Sequence, residues 1–371
     1  MLAIEGGKPS VTEPLRKFRT IDDRAVRYVA AAMRSGPLSG YLGGVTKGGL
    51  RVEALEHEFA GLIGAKHAIA VNSGTSGLLA ACVAMNVTAG TRVHTTPYTM
   101  SATAAAPRFL GADIWFGDIE DQTFCLAEKD SAADVTIVTN LFGHPAELKT
   151  GRVIEDNAQA IFAKVGRRYA GTLGDIGVFS FNVHKHLQCG EGGICVTDNA
   201  DLAERMRRFR NHSELFSDTA TIGLNLRMTE VTASIALSQL ARKNEIISGR
   251  IEQAEDLTDM IANIPGIRPP VIREGYTHVF YSWAIMLDHD RDWFVRAMNA
   301  EGVPLKAGYL EPLYRLPAFK RDLRLPVVEA VEKNIVLFEN CTYDPTDEQR
   351  WQIREAFKKV GQVYSGQADE N

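Results

Sequence analysis

The alternation of apolar strand-like runs with helical text between residues 67 and 200 restricts this chain more than any other feature. The runs lie at 67–71, 91–96, 113–119, 135–139, 153–155, 176–181 and 193–197, and helical segments at 75–85 and 101–110 separate the early ones. Several runs are near-continuous apolar stretches, as strands covered on both faces must be. That order predicts an α/β fold with a mostly parallel seven-stranded sheet. The last two runs are joined by a long polar loop, residues 182–192.

The remaining text frames this unit. An irregular arm, residues 1–50, carries one helical segment at 22–33. Its glycine-rich loop, Gly36 through Gly40, Tyr41, Leu42, Gly43 and Gly44 to Gly49, suits an active-site loop or a surface connection equally. An amphipathic helix follows, with Val52, Leu55, Phe59, Leu62 and Ile63 at helical spacing. Helices are expected at 201–210 and, as one long element, at 229–255. After 265–270 a smaller α/β unit begins: a strand at 279–287, a helix at 292–300, then a strand, a loop and two further helices. The expected division is 1–250 for the arm and large domain and 251–371 for a small C-terminal domain.

Composition excludes several partners. Forty-one basic against forty-six acidic side chains give a net charge of −5, so no basic excess exists to release the counterions of a nucleic acid. No apolar run approaches the ~20 residues of a membrane span, and the N-terminus lacks a signal-peptide pattern. The five cysteines are scattered with no C-x-x-C pair, which argues for a reducing compartment. The expectation is a soluble, cytoplasmic protein.

Three segments carry chemistry. Asn72-Ser73-Gly74-Thr75-Ser76-Gly77 follows a strand and opens a helix. It suits an anion site built on unpaired N–H groups and the helix dipole, or a plain capped turn. Asp156, in Glu155-Asp156-Asn157-Ala158-Gln159-Ala160, stands where a strand runs out, at the sheet edge that holds ligands. It could meet a cationic ring nitrogen, meet a metal, or cap a helix. Lys185 follows the strand Ser180-Phe181 and precedes Gly190-Glu191-Gly192-Gly193; desolvated, it would offer a neutral amine, and exposed, it would be an ordinary lysine. His184 and His186 form an H-x-H pair without a third ligand at a telling spacing. Together, an anion cradle, a carboxylate and an amine on one sheet meet the needs of pyridoxal 5′-phosphate.

The chain resembles the DegT/StrS-type sugar aminotransferases, which are fold-type-I pyridoxal-phosphate enzymes. The resemblance runs from about Gly36 into the C-terminal domain. It rests on Asn72-Ser73-Gly74-Thr75-Ser76, Pro97-Tyr98-Thr99, residues 155–160, Gly171-Thr172-Leu173-Gly174-Asp175, Phe179-Ser180-Phe181 with Lys185, residues 190–193, Arg210-Asn211-His212 and Gly223-Leu224-Asn225-Leu226-Arg227-Met228. It implies that Lys185 forms a Schiff base with the cofactor and later shuttles the proton, that Asp156 pairs with the pyridine nitrogen, and that Gln159 lies near the phenolic oxygen. It further implies that Gly74, Thr75 and Ser180 hold the phosphate and that Asn225 reaches the phosphate of a partner subunit, so that a homodimer shares its sites.

Two departures stand out. Met100 occupies the position where many members carry a ring-stacking aromatic, and a thioether can cover a ring face. Only residues 141–151 separate two presumed parallel strands, where relatives have a longer helical connection. The implied activity is transfer of an amino group from an amino acid, glutamate first among donors, to a keto sugar, most plausibly nucleotide-linked, with pyridoxamine 5′-phosphate as the intermediate form and no metal. The competing expectations are a cyclitol or other carbonyl acceptor, a sugar 3-dehydratase on the same scaffold, and a non-catalytic regulatory protein.

Overall fold

The computed structural model describes residues 1–41, 47–127, 132–148, 151–213 and 222–368. Leu42, Gly43 and Gly44 of the glycine-rich loop and Lys149 and Thr150 of the short connection lie outside the described residues.

Helix α1 (Asp23–Ser35) starts at Asp22, whose carboxylate accepts the N–H groups of Arg24 and Ala25. Then come α2 (Leu50–Ile63), β1 (His67–Val71), α3 (Gly74–Ala84), β2 (Arg92–Thr95), α4 (Ala102–Phe109), β3 (Asp113–Phe116), β4 (Val135–Thr139) and β5 (Val153–Asp156). A small hairpin of β6 (Lys164–Val165) and β7 (Arg168–Tyr169) precedes β8 (Ile176–Ser180), β9 (Gly193–Thr197) and α5 (Ala200–Arg210). The main sheet has the order β1-β9-β8-β5-β4-β2-β3. Its β3, β2, β4, β5 and β8 are mutually parallel, while β9 is antiparallel to both β8 and β1. The reason is local: residues 181–192 contain no helix to carry the chain across the sheet, so β9 returns beside β8. The seven runs read from the sequence are these seven strands.

The sheet is covered on both faces, which explains its apolar text. Ile69, Val93, Ile137, Ile154 and Val178 face α3, α4 and α5 in one core. Ala68, Ala70, Phe179, Phe181 and Ile194 face Phe59 of α2 and Ala233 and Leu237 of α6 (Glu230–Leu240) in another.

The single helix expected over 229–255 is two, α6 and α7 (Lys243–Ile261). Arg242 takes a non-helical conformation at the break, and its guanidinium donates to the Thr20 carbonyl and to the Asp22 carboxylate, each at 2.9 Å. No glycine or proline marks the break; packing against the start of α1 makes it.

Beyond α7 a second sheet forms from β10 (Ile267–Arg268), β12 (Trp283–Leu287), β13 (Leu305–Ala307) and β14 (Ile335–Phe338), all antiparallel, with β11 (Tyr276–Thr277) pairing instead with β6. Helices α8 (Arg291–Ala300), α9 (Pro326–Asn334) and α10 (Asp347–Ala368) pack around it. Strand β14 has no signature of its own because its four apolar residues continue directly from α9. Leu2, Val11 and Leu15 of the arm sit in this second core with Ile285, Phe294 and Phe357. Glu301 anchors the arm by accepting from Ala3 N, Ser10 N and Ser10 Oγ. The expected strand at 279–287 begins only at Trp283, because residues 279–282 pack on the short connection after β4: Val279 N donates to the Gly143 carbonyl at 3.0 Å, and Ser282 N to that of Phe142 at 3.3 Å. Among the described residues no helix is long and apolar enough to cross a membrane.

Candidate active site

A cavity of about 410 Å³ opens where β1, β4, β5 and β8 end, and its walls bring the three segments together. Ser73, Gly74, Thr75, Met100, Asp156, Gln159, Ser180 and Lys185 all line it, with Tyr281 and Tyr309 supplied by the chain beyond α7.

The cradle is the start of α3. Ser73 caps the helix, its Oγ accepting from Ser76 N at 3.0 Å, and the N–H groups of Gly74 and Thr75 precede the first intrahelical bond, from Gly77 N to Ser73 O. Close approach to β8 makes this possible. A Cβ on Gly77 would lie 2.7 Å from Val178 Cγ1, and one on Gly74 would lie 3.0 Å from Ser180 Cβ. The cradle therefore has glycine where the strand end crowds it, and Ser180 directly beside it.

The carboxylate is deep. Asp156 Oδ2 accepts from Thr103 Oγ1 at 2.7 Å and Oδ1 from Ala158 N at 3.1 Å. Burial pushes its carboxyl above the usual range, and the Thr103 hydroxyl, the Ala158 N–H and the charge of Lys185 oppose that rise. Neighbouring Glu155 points the other way. It accepts from the N–H groups of Gly171, Leu173 and Gly174, each at 2.7 Å, and so fixes the 171–174 turn rather than the cavity.

Lys185 sits half-buried in the 182–192 loop, its Nζ 4.4 Å from the centroid of the Tyr281 ring. Burial lowers its pKa to about 8, with the charge of Asp156 acting against this. Near physiological pH a minor but usable fraction of the amine is thus neutral, far more than for an ordinary lysine, and the neutral form is what nucleophilic chemistry at a carbonyl requires.

Gln159 is locked on both sides: Oε1 accepts from Phe142 N at 2.8 Å, and Nε2 donates to the Tyr309 hydroxyl at 2.9 Å. Met100 is 52% exposed at the rim, with its sulfur accepting from Ala102 N at 3.1 Å. Asn225 is exposed, pairs with Arg227 Nε at 2.9 Å and does not line the cavity of its own chain. His184 lines the cavity, while His186 is buried away from it, so the H-x-H pair does not converge. No group of three metal-ligating side chains occurs among the described residues.

Thr103, Tyr281 and Tyr309 were missed by sequence reasoning. For Thr103 a signal existed, since it stands in the first turn of the helical text that follows a strand, at the sheet edge that holds ligands. The tyrosines had none, because they arrive from more than ninety residues away. A second recess of about 420 Å³ shares His184, Tyr281 and Tyr309 with the first and extends to Lys306, Glu339 and Thr342.

The residues present fit pyridoxal 5′-phosphate. Beside Asp156, Thr139 lines the cavity, and its Oγ1 is buried with no hydrogen-bond partner among the described residues. A cradle for an anion, a buried carboxylate and an amine of lowered basicity stand around one space.

The sequence profile of the DegT/DnrJ/EryC1/StrS aminotransferase family matches residues 20–349. The chain belongs to this family. As a member of the DegT/DnrJ/EryC1/StrS family it is a transaminase, and it has the fold of the fold-type-I aminotransferases. It is similar to the UDP-N-acetyl-3-dehydro-alpha-D-glucosamine 3-aminotransferase of Acidithiobacillus ferrooxidans, at 32% identity over 302 residues, which are 76% of this chain and 81% of that protein. It is also similar to a putative L-glutamine:3-amino-2,3-dideoxy-scyllo-inosose aminotransferase of Streptoalloteichus tenebrarius, at 31% identity over 349 residues, 85% of this chain and 82% of that one. Among solved structures, DesI in the presence of its TDP-sugar product superposes with a TM-score of 0.84 at 26% identity, covering 98% of this chain and 96% of DesI.

Proposed function

We propose that this transaminase moves an amino group from an amino acid, glutamate first, to the ketone of a nucleotide-linked sugar, using pyridoxal 5′-phosphate held in the cavity between α3 and Lys185. The observation that carries the reading is the convergence of Lys185, Asp156 and the N–H groups of Gly74 and Thr75 on one space.

When bound, the cofactor supplies an electron sink for the carbon that loses or gains a proton. The chain's own residues do the rest. Gly74, Thr75 and Ser180 would hold the phosphate, and Asp156 would pair with positive charge at the ring nitrogen. The Thr103 and Ala158 hydrogen bonds favour its carboxylate form, which a cationic ring beside it would favour further. Gln159, fixed by Phe142 and Tyr309, orients the phenolic oxygen. Lys185 would hold the cofactor's aldehyde through Nζ and, once free, would hold and move a proton at Nζ, with the Tyr281 ring face supporting its charged state. Met100 would cover the ring at the rim.

Transfer in two halves implies ping-pong kinetics. The second recess gives the acceptor room beyond Tyr281 and Tyr309. Two chains pair in this proposal, in the cytoplasm, with Asn225 of one completing the phosphate site of the other; its exposure in the single chain supports this. In this proposal the chain divides near residue 250, with the cofactor residues before the division and the two tyrosines after it.

A cyclitol ketone is the second reading, supported by the scyllo-inosose relative. A 3-dehydratase is disfavoured by Lys185, which those enzymes replace with histidine. Borohydride reduction of the holoenzyme followed by peptide mapping tests the assignment: the label is expected on Lys185, and an amino donor is expected to convert the cofactor to pyridoxamine phosphate with release of a 2-oxo acid. A map with Lys185 unlabelled overturns it. Elimination of a sugar hydroxyl without nitrogen in the product would favour the dehydratase.

A further inference from the structure

His186 follows the reactive lysine but does not line the cavity that Lys185 lines. Its side chain is 1% exposed, and its Nε2 lies 2.8 Å from the carbonyl oxygen of Val279. A carbonyl only accepts, so Nε2 carries the hydrogen and Nδ1 is a lone pair. That Nδ1 is buried with no partner among the described residues, so a proton placed there would be an unsatisfied buried donor. The ring is held neutral in one tautomer.

Val279 is gripped at both of its polar groups. Its N–H donates to the Gly143 carbonyl at 3.0 Å, and its carbonyl accepts from His186. Gly143, at φ +108°, permits this contact, since a Cβ there would lie 2.7 Å from Phe280 N. Two residues further on, Tyr281 presents its ring to Lys185 Nζ at 4.4 Å. The trimmed connection after β4, the segment entering β12 and the lysine loop are therefore joined through one residue.

We propose that His186 is a positioning residue for Lys185: its Nε2–H on the Val279 carbonyl ties the 182–192 loop to the segment bearing Tyr281 and so sets the amine over that ring. Leu187, fully buried in the core beneath, already fixes how deep the loop sits. The histidine fixes where it lies along the 276–283 segment. The groups facing His186 are Lys185, Arg250 of α7, His278 and Tyr281, and those facing Lys185 are Asp156, Cys341 and Tyr281. The inference rests on the reading of Lys185 as the reactive amine, yet its test can be made without cofactor.

In the cofactor-free protein, reductive methylation of Lys185 by formaldehyde and cyanoborohydride, followed by peptide mass spectrometry across pH, reports the environment of Nζ. In the wild type the midpoint is expected at about 8. His186→Gln, whose amide N–H reaches the same carbonyl, is expected to keep it. His186→Leu, which cannot donate, is expected to raise it by about one pH unit as the amine swings towards water. Should the leucine variant fail to fold, His186→Asn, whose amide stops short of Val279, carries the same expectation. A wild-type midpoint in folded His186→Leu or His186→Asn overturns the proposal. So does a His186→Gln midpoint displaced as far as theirs, since the ring would then matter only as volume. Borohydride labelling of the wild-type holoenzyme separates this result from the catalytic reading: an unlabelled Lys185 removes the latter and leaves the methylation midpoints to decide the former.

Discussion

The hydroxyl of Thr103 donates to Asp156 Oδ2 across 2.7 Å, from the first turn of α4 to the end of β5. Among the described residues it is one of two hydrogen bonds given to a carboxylate that burial drives towards its neutral form. Thr103→Val keeps the shape and removes the donor. Hydrogen bonds to charged groups are worth about 1.5–3 kcal/mol, so turnover is expected to fall on the order of tenfold or more. Thr103→Ser should retain most activity. Asp156→Asn removes the charge itself and should slow transamination further while cofactor is still retained by the cradle. Steady-state rates with absorbance of the bound cofactor check all three.

Capture of cofactor by the cofactor-free protein should depend on pH through Lys185. Its pKa is lowered to about 8 by burial, and only the neutral amine reacts. The capture rate is expected to rise about tenfold per pH unit below that value and to level off above it. Stopped-flow absorbance from pH 6 to pH 9 measures this; a profile still rising steeply above pH 9 would indicate a solvent-exposed lysine.

Acid should unfold the protein through its histidines. Burial lowers His144 and His186 to about 4, and holds His278 well below its ordinary value. Above pH ~6.5 these rings are neutral in both states and cost nothing. Between ~6.5 and ~4 the unfolded chain takes up protons that the folded chain refuses, so stability falls as pH drops, by up to about 1.4 kcal/mol per pH unit for each ring. Urea melts at pH 7, 6 and 5 are expected to show a declining midpoint, with a shallower decline in His186→Gln.

Shared sites can be tested by mixing subunits. Lys185→Ala and Asn225→Ala chains are each expected to be nearly inactive. In a mixed dimer one site recovers an intact Lys185 and an intact Asn225 together, so random mixing should restore roughly a quarter of wild-type activity. Mixtures no more active than their components would place Asn225 outside the partner's site.

The sequence by itself determined the main sheet, because its strands are buried on both faces and their apolar runs need no context to be seen. It also determined the cradle and Lys185's place at the mouth of β8, since capping residues, glycines and strand ends are local signals. Asp156 was legible for the same reason, as the polar residue at which an apolar strand stops. Three things only the tertiary structure decided. Arg242 breaks α6 from α7 by reaching Thr20 and Asp22, a long-range pairing with no local signature. Tyr281 and Tyr309 close the cavity from beyond α7, far away in sequence. His186 turns from its neighbour Lys185 to grip Val279, because burial and a single carbonyl, rather than the spacing of two histidines, dictate where an imidazole points.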